Sequence, residues 1–81
     1  MNKNDVMVIV NGVEESKRLE NIFSYHPPKD GQPEMYADIR SKAKEFAYMI
    51  CRLVPDSREQ SLALTKLEEC VMWANAGIAR N

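Results

Sequence analysis

The stretch Val54-Pro55-Asp56-Ser57-Arg58-Glu59-Gln60 sets the architecture of this chain, because it ends one helix and begins another within a few residues. Proline has no backbone N–H and its ring clashes with the preceding turn, so Pro55 marks the end of the upstream helix. Ser57 followed three residues later by Gln60 is the pattern of a capping box, which begins a helix beside Ser57. So short a turn between two helices predicts an antiparallel helical hairpin.

On both sides of that turn, apolar residues recur at three- and four-residue steps, the pattern of a helix packed along another helix. The upstream helix is predicted to run from Pro33, a good first helical residue, to Val54, and the downstream helix from about Ser57 to about Ala79. The predicted seam of the upstream helix is Ile39, Ala43, Phe46, Ile50 and Leu53. The predicted seam of the downstream helix is Leu64, Leu67, Val71, Ala74 and Ile78.

The hairpin also bears on the two cysteines of the chain, Cys51 and Cys70. Folding about Asp56 offsets them by about nine residues, or about 14 Å at the helical rise. That separation is beyond the reach of a disulfide within one chain. We therefore interpret both as free thiols in packing positions, in preference to redox or metal chemistry.

A shorter helix is predicted before the hairpin, from about Val13 or Glu14 to Tyr25, with one apolar stripe formed by Leu19, Ile22 and Phe23. The residues that follow, His26-Pro27-Pro28, do not continue a helix. The prediction therefore places Tyr25 and His26 at the end of the helix, on an exposed corner.

Residues 1–17 are interpreted as an N-terminal arm and residues 18–81 as a single helical domain. The arm carries a short β-branched run at residues 6–10, followed by Asn11-Gly12, a turn pair. One strand has no partner within so helical a chain. The sequence leaves open whether the arm frays or docks on a partner subunit.

Size and charge limit the classes of function. A chain of 81 residues buries too little surface to be comfortably stable alone. Residues 70–74 are apolar all round the helix, which predicts a homo-oligomer in which a second subunit packs there, with Trp73 as an interface or core anchor. The net charge of -1 argues against binding of DNA or RNA polymers. No apolar run is long enough for a membrane and no signal peptide pattern is present, so we expect a cytoplasmic protein.

The residue inventory favours binding over catalysis. The single histidine, His26, leaves no usual zinc-ligand spacing, and the three glycines form no phosphate loop. We find no catalytic constellation, so the chain is predicted not to be an enzyme and to need no cofactor or metal.

A binding site is easier to assemble. The corner offers the Tyr25 ring, the His26 imidazole, the rigid Pro28 and the Lys29 ammonium to a flat anionic ligand. Arg40 lies on the flank of the upstream helix. Its guanidinium could make two parallel hydrogen bonds to phosphate oxygens while a base stacks on the Tyr25 ring. On periodicity alone, the interpretation of Arg40 as a solvated surface group is favoured.

Four runs of sequence are familiar: Arg-Leu-Glu-Asn-Ile-Phe-Ser-Tyr-His-Pro-Pro from Arg18, Tyr-Ala-Asp-Ile-Arg from Tyr36, Ser-Arg-Glu-Gln-Ser-Leu-Ala-Leu-Thr-Lys-Leu-Glu-Glu from Ser57, and Val-Met-Trp-Ala-Asn-Ala from Val71. From about Arg18 to the C-terminus, the chain closely resembles the phage anti-CBASS cyclic-nucleotide sponge family, second anti-CBASS type. Members are small helical proteins that assemble into hexamers. They sequester the cyclic oligonucleotide signals of bacterial immunity without cleaving them.

The resemblance implies roles for particular residues. It places the base-stacking tyrosine at Tyr25 and the phosphate-pairing basic residue at Arg40, in dinucleotide pockets between subunits. It places the basic residue of a separate cyclic-trinucleotide pocket at Arg80. It also implies a ligand such as 3′,3′-cGAMP, a hexamer, and the cytoplasm of the infected bacterial host as the site of action. Residues 1–17 depart from it, being longer than the family pattern.

Two other functions compete with this one. The chain fits a helical protein–protein interaction module whose corner grips a partner protein, with no nucleotide ligand. A phosphodiesterase is the least supported, since hydrolysis needs a base or a metal.

Overall fold

The computed structural model describes residues 12–81, which form three helices: α1 (Gly12–Ile22), α2 (Gln32–Leu53) and α3 (Arg58–Arg80). All regular structure in that range is helical, so the predicted all-α class, with a short helix before a long helical hairpin, is confirmed. The predicted strand at residues 6–10 lies outside the described residues. The predicted boundary after Lys17 falls inside α1, and the division into arm and domain stays a prediction.

The turn between α2 and α3 is built as its sequence predicts, with one difference. The Ser57 hydroxyl accepts a hydrogen bond from the Gln60 backbone N–H at 3.1 Å, so the helix cap is confirmed. In a capping box the Gln60 side chain would bond back to the Ser57 N–H. Instead, Gln60 Nε2 donates to the carbonyl oxygen of Val54 at 2.9 Å. The glutamine therefore ties the end of α2 to the start of α3.

The seam of the hairpin differs from the prediction on one helix only. On α3, all five predicted residues are half-buried, and on α2 so are Ile39, Ala43 and Ile50. The prediction was wrong for Phe46 and Leu53, since they are 51% and 68% exposed. Their places are taken by Ala47 and Val54, both half-buried. The reason is helical drift: at 3.6 residues per turn, a straight helix departs from a strict seven-residue repeat, so two steps of four follow one another.

Helix α1 ends at Ile22, whereas the predicted end was Tyr25. If the helix continued, the N–H groups of Ser24 and Tyr25 would bond to the carbonyls of Glu20 and Asn21. Side chains occupy both carbonyls instead. The Ser24 hydroxyl donates to the Glu20 carbonyl, and His26 Nε2 donates to the Asn21 carbonyl at 2.6 Å. Local side-chain hydrogen bonds thus replace the next helical turn, and Tyr25 and His26 follow the helix instead of ending it.

Residues 12–81 do not close a hydrophobic core by themselves. Among the described residues no apolar side chain is buried, and the buried side chains are Ser16 and Gln32. The described helices include no segment with the length and apolar character needed to cross a bilayer.

Candidate functional site

The candidate site is the corner, residues 25–29, which joins α1 to α2 without regular secondary structure. The Tyr25 side chain is 84% exposed, so its ring faces solvent. Pro27, Pro28 and Lys29 are exposed as well, whereas His26 is half-buried. The His26 ring is oriented by the Asn21 carbonyl, and because a carbonyl only accepts, Nε2 carries the proton. The corner therefore presents one aromatic ring and one ammonium group on a backbone restrained by two prolines.

Gln32, the first residue of α2, holds the end of the corner in place. Its side-chain Oε1 accepts a hydrogen bond from the Lys29 backbone N–H at 2.9 Å, and its backbone N–H donates to the Lys29 carbonyl at 3.0 Å. Gly31 precedes it with φ at 82°, a left-handed conformation that glycine adopts without steric cost. These bonds fix the direction in which the corner enters α2.

Two amides attach this region to the C-terminal end of α3. Gln32 Nε2 donates to the Ile78 carbonyl at 2.9 Å, and Asn21 Nδ2 donates to the Arg80 carbonyl at 3.3 Å. Sequence reasoning missed both Gln32 and Asn21. The position of Gln32 just before Pro33 marks the start of a helix, but nothing in the sequence shows that its partner lies 46 residues away.

Arg40 lies on α2, eight residues after Gln32 and thus about 12 Å further along the helix axis. Its side chain is exposed. Within residues 12–81, no hydrogen bond or ion pair joins Arg40 to the corner. The structure therefore joins Lys29 to Gln32 and His26 to Asn21, and leaves Arg40 as a separate cation on the neighbouring helix.

Arg80 lies at the other end of the hairpin from Ser57, where it is half-buried. With Met72, Trp73 and Ala76 it lines a shallow pocket of about 180 Å³. Trp73 is 69% exposed, so it is not a core anchor of the single chain, and its interface role stays a prediction.

A larger groove lies between α2 and α3, with a volume of about 380 Å³. Its walls are mostly apolar and two of its lining residues, Lys44 and Glu68, are charged. The lining residues are Ala43, Lys44, Ala47, Leu64, Leu67, Glu68, Val71 and Met72. The groove follows the hairpin seam and does not include the corner.

Two ion pairs lie along α1, Lys17 with Glu14 and Arg18 with Glu15. A side-chain hydrogen bond from Arg18 lowers the pKa of the Glu15 carboxyl below its ordinary value, and the same bond raises the pKa of Arg18. Within residues 12–81, no group of three or more histidine, cysteine or acidic side chains is placed to hold a metal ion. Cys51 and Cys70 are free, as predicted, but both are exposed, so the predicted packing positions are wrong for the single chain.

Comparison with known proteins adds a family. The family model described as Acb2/Tad1, hairpin domain, matches residues 15–79. The match begins within α1, includes the corner and all of α2, and extends almost to the end of α3. No curated protein and no solved structure shows significant similarity to the chain. Because the match covers most of the sequence, the chain belongs to the Acb2/Tad1 hairpin-domain family, which is the anti-CBASS cyclic-nucleotide sponge family.

Proposed function

We propose that this protein binds and sequesters cyclic oligonucleotide immune signals without cleaving them. The ligands are cyclic dinucleotides such as 3′,3′-cGAMP and, at a second site, cyclic trinucleotides. Removal of these signals blocks CBASS antiphage signalling in the cytoplasm of the infected bacterial host. The observation that carries the proposal is the family match over residues 15–79, which contains the corner and Arg40.

The chemistry of the corner supports a nucleotide ligand. An exposed aromatic ring such as Tyr25 can stack on any base, and Lys29 in the same corner supplies a positive charge. Arg40 carries a planar guanidinium that makes two parallel hydrogen bonds to phosphate oxygens. His26 and Pro28 shape the corner, since each proline restrains its own backbone and that of the residue before it.

The pocket is proposed to be complete only in a homo-oligomer. Residues 12–81 bury no apolar side chain, and eleven large hydrophobic side chains among them are exposed. Burial of these side chains against other subunits would supply the missing core, which supports an oligomer such as the hexamer of the family. A two-fold related pair would bring two Arg40 side chains to the two phosphates of one dinucleotide.

The second site is proposed at Arg80. Arg80 lines the shallow pocket on α3 together with the exposed Trp73. An arginine there would pair with a phosphate of a cyclic trinucleotide, provided that neighbouring subunits supply the remaining walls.

Sequestration requires slow dissociation of a chemically unchanged ligand, whereas catalysis requires conversion of the ligand and release of a product. Purified protein is therefore expected to bind 3′,3′-cGAMP in calorimetry and to return it chemically intact after denaturation, as judged by chromatography of the released nucleotide. Linear product, with or without added divalent metal, would contradict sequestration and indicate a phosphodiesterase. Absence of heat with every cyclic di- and trinucleotide tested would instead favour the protein–protein interaction module.

A further inference from the structure

Gln32 has an environment unlike that of any other polar side chain in the described chain except Ser16, because only these two are buried. It is 7% exposed, and both ends of its amide are used. The oxygen accepts from the Lys29 backbone N–H at 2.9 Å, and the nitrogen donates to the Ile78 carbonyl at 2.9 Å. Loss of the side chain would leave two partly buried backbone groups without these partners, which costs more than loss of an exposed hydrogen bond.

The carbonyl that Gln32 contacts belongs to the open end of α3. The last four carbonyls of a helix have no partner within that helix. In α3, three of them are capped by side-chain amides: Asn81 donates to Gly77, Gln32 to Ile78, and Asn21 to Arg80. Two of those amides come from the segments that flank the corner. The segments on both sides of the corner are thus hydrogen-bonded to the C-terminal end of α3.

We propose that Gln32 is a positioning residue for the ligand site: it holds the corner against the end of α3 and thereby keeps Tyr25 and Lys29 in the geometry that receives the nucleotide. The inference rests on the proposed function for its ligand, but the anchoring itself is a property of the ligand-free protein. A corner that is already ordered loses less conformational freedom when the ligand binds, so its affinity is higher.

The first test compares two glutamines with the same substitution. Gln32→Met keeps the length of the side chain and removes both hydrogen bonds. Gln60→Met is the matched control, because Gln60 makes an equivalent amide-to-carbonyl bond of 2.9 Å at the opposite end of the hairpin. We expect the Kd for 3′,3′-cGAMP to rise about tenfold in Gln32→Met and to stay within about twofold of wild type in Gln60→Met.

Gln32→Glu distinguishes the hydrogen bond to Lys29 from the hydrogen bond to Ile78. It also replaces Gln32→Met as the test variant if Gln32→Met fails to fold. A carboxylate still accepts from the Lys29 N–H but cannot donate to the Ile78 carbonyl. We therefore expect a protected Lys29 amide together with a raised Kd. A wild-type Kd in Gln32→Glu would overturn the proposal, because attachment to α3 would then be irrelevant to binding.

The second test needs no ligand. Hydrogen exchange of the Lys29 amide, measured by NMR in the free protein, is expected to speed up about tenfold in Gln32→Met and to remain unchanged in Gln60→Met. Equal exchange in all three proteins would overturn the inference, as would fast exchange together with an unchanged Kd. If wild type binds no cyclic nucleotide but Lys29 exchange responds only to Gln32→Met, the proposed function fails while the anchoring of the corner stands.

Discussion

At the scale of single residues, Tyr25 is the most exposed of the large apolar side chains in residues 12–81. The corner makes it available for stacking, and stacking of one base on an aromatic ring contributes about 1 to 3 kcal/mol. Tyr25→Ala is therefore expected to weaken binding of 3′,3′-cGAMP by about 5- to 150-fold in calorimetry. Tyr25→Phe keeps the ring and should bind nearly as well as wild type.

Tyr48→Ala is the control for that substitution, since Tyr48 is also largely exposed, at 65%, but lies on α2 away from the corner. It should leave the affinity unchanged. Both alanine variants should keep the native oligomer, measured by light scattering. Wild-type affinity in Tyr25→Ala would remove Tyr25 from the site.

Arg40 permits a test of geometry as well as charge. Arg40→Ala should lower affinity by about 10- to 150-fold, the range for a hydrogen bond to a charged group. Arg40→Lys should recover only part of the loss, because an ammonium cannot make the two parallel bonds of a guanidinium. Arg52→Ala, in the last turn of the same helix, is the matched control. Equal binding by Arg40→Ala and wild type would support the interpretation of Arg40 as a solvated surface group.

At the scale of the elements, two glycines in different conformations should respond oppositely to alanine. Gly31 precedes α2 with φ at 82°, where an alanine Cβ meets no atom within 4 Å but the backbone conformation itself is unfavourable. Gly31→Ala should cost about 1 to 2 kcal/mol of unfolding free energy. Gly77 lies inside α3, where an alanine Cβ would also enter open space, so Gly77→Ala should stabilise by about 0.5 to 1 kcal/mol. Urea denaturation checks both, and a stabilised Gly31→Ala would contradict the left-handed conformation.

The start of α3 provides a second prediction at this scale. Ser57→Ala removes the acceptor for the Gln60 N–H and should cost about 1 kcal/mol, seen as a lower Tm. Ser61→Ala is the control one turn later, where the side chain is exposed and alanine is the better helix former. A greater loss of stability in Ser61→Ala than in Ser57→Ala would show that the cap does not stabilise α3.

At the scale of the whole molecule, residues 12–81 bury no apolar side chain, and the proposed assembly would supply the apolar contacts that one chain lacks. Met35, Phe46, Met49 and Leu53 are all exposed, and their spacing places them along one side of α2. On an isolated monomer, Phe46→Glu would change little. In the proposed assembly it should dissociate subunits, because it buries an unpaired charge.

Analytical ultracentrifugation measures that difference. Wild-type protein is expected to sediment as a multiple of the chain mass, and Phe46→Glu as a smaller species. Thr65→Glu adds the same charge at an exposed polar position of α3 and should retain the wild-type mass. A monomeric wild type would contradict the assembly, and with it the proposed pocket between subunits.

Much of the fold follows from local signals. The cap at Ser57, the stop at Pro55 and the α3 seam from Leu64 to Ile78 each depend on residues within one or two helical turns, so the sequence alone predicts them. The predictions were wrong where the local sequence pattern was outweighed by the period of the straight helix or by side-chain hydrogen bonds to the backbone. Phe46 satisfied a seven-residue repeat, but the helical period placed Ala47 in the seam. Likewise, Ser24 and His26 ended α1 earlier than the prolines required.

Local sequence signals are enough to establish an antiparallel hairpin preceded by a short helix, with Tyr25 on an exposed corner. The anchoring of that corner is visible only in the folded chain. Gln32 bonds to a carbonyl 46 residues away, and Asn21 to one 59 residues away. Such pairs carry no periodic signal, because their contact depends on where the folded hairpin places the end of α3. Propensity and spacing describe neighbours along the chain, whereas an anchor of this kind exists only after the chain has folded.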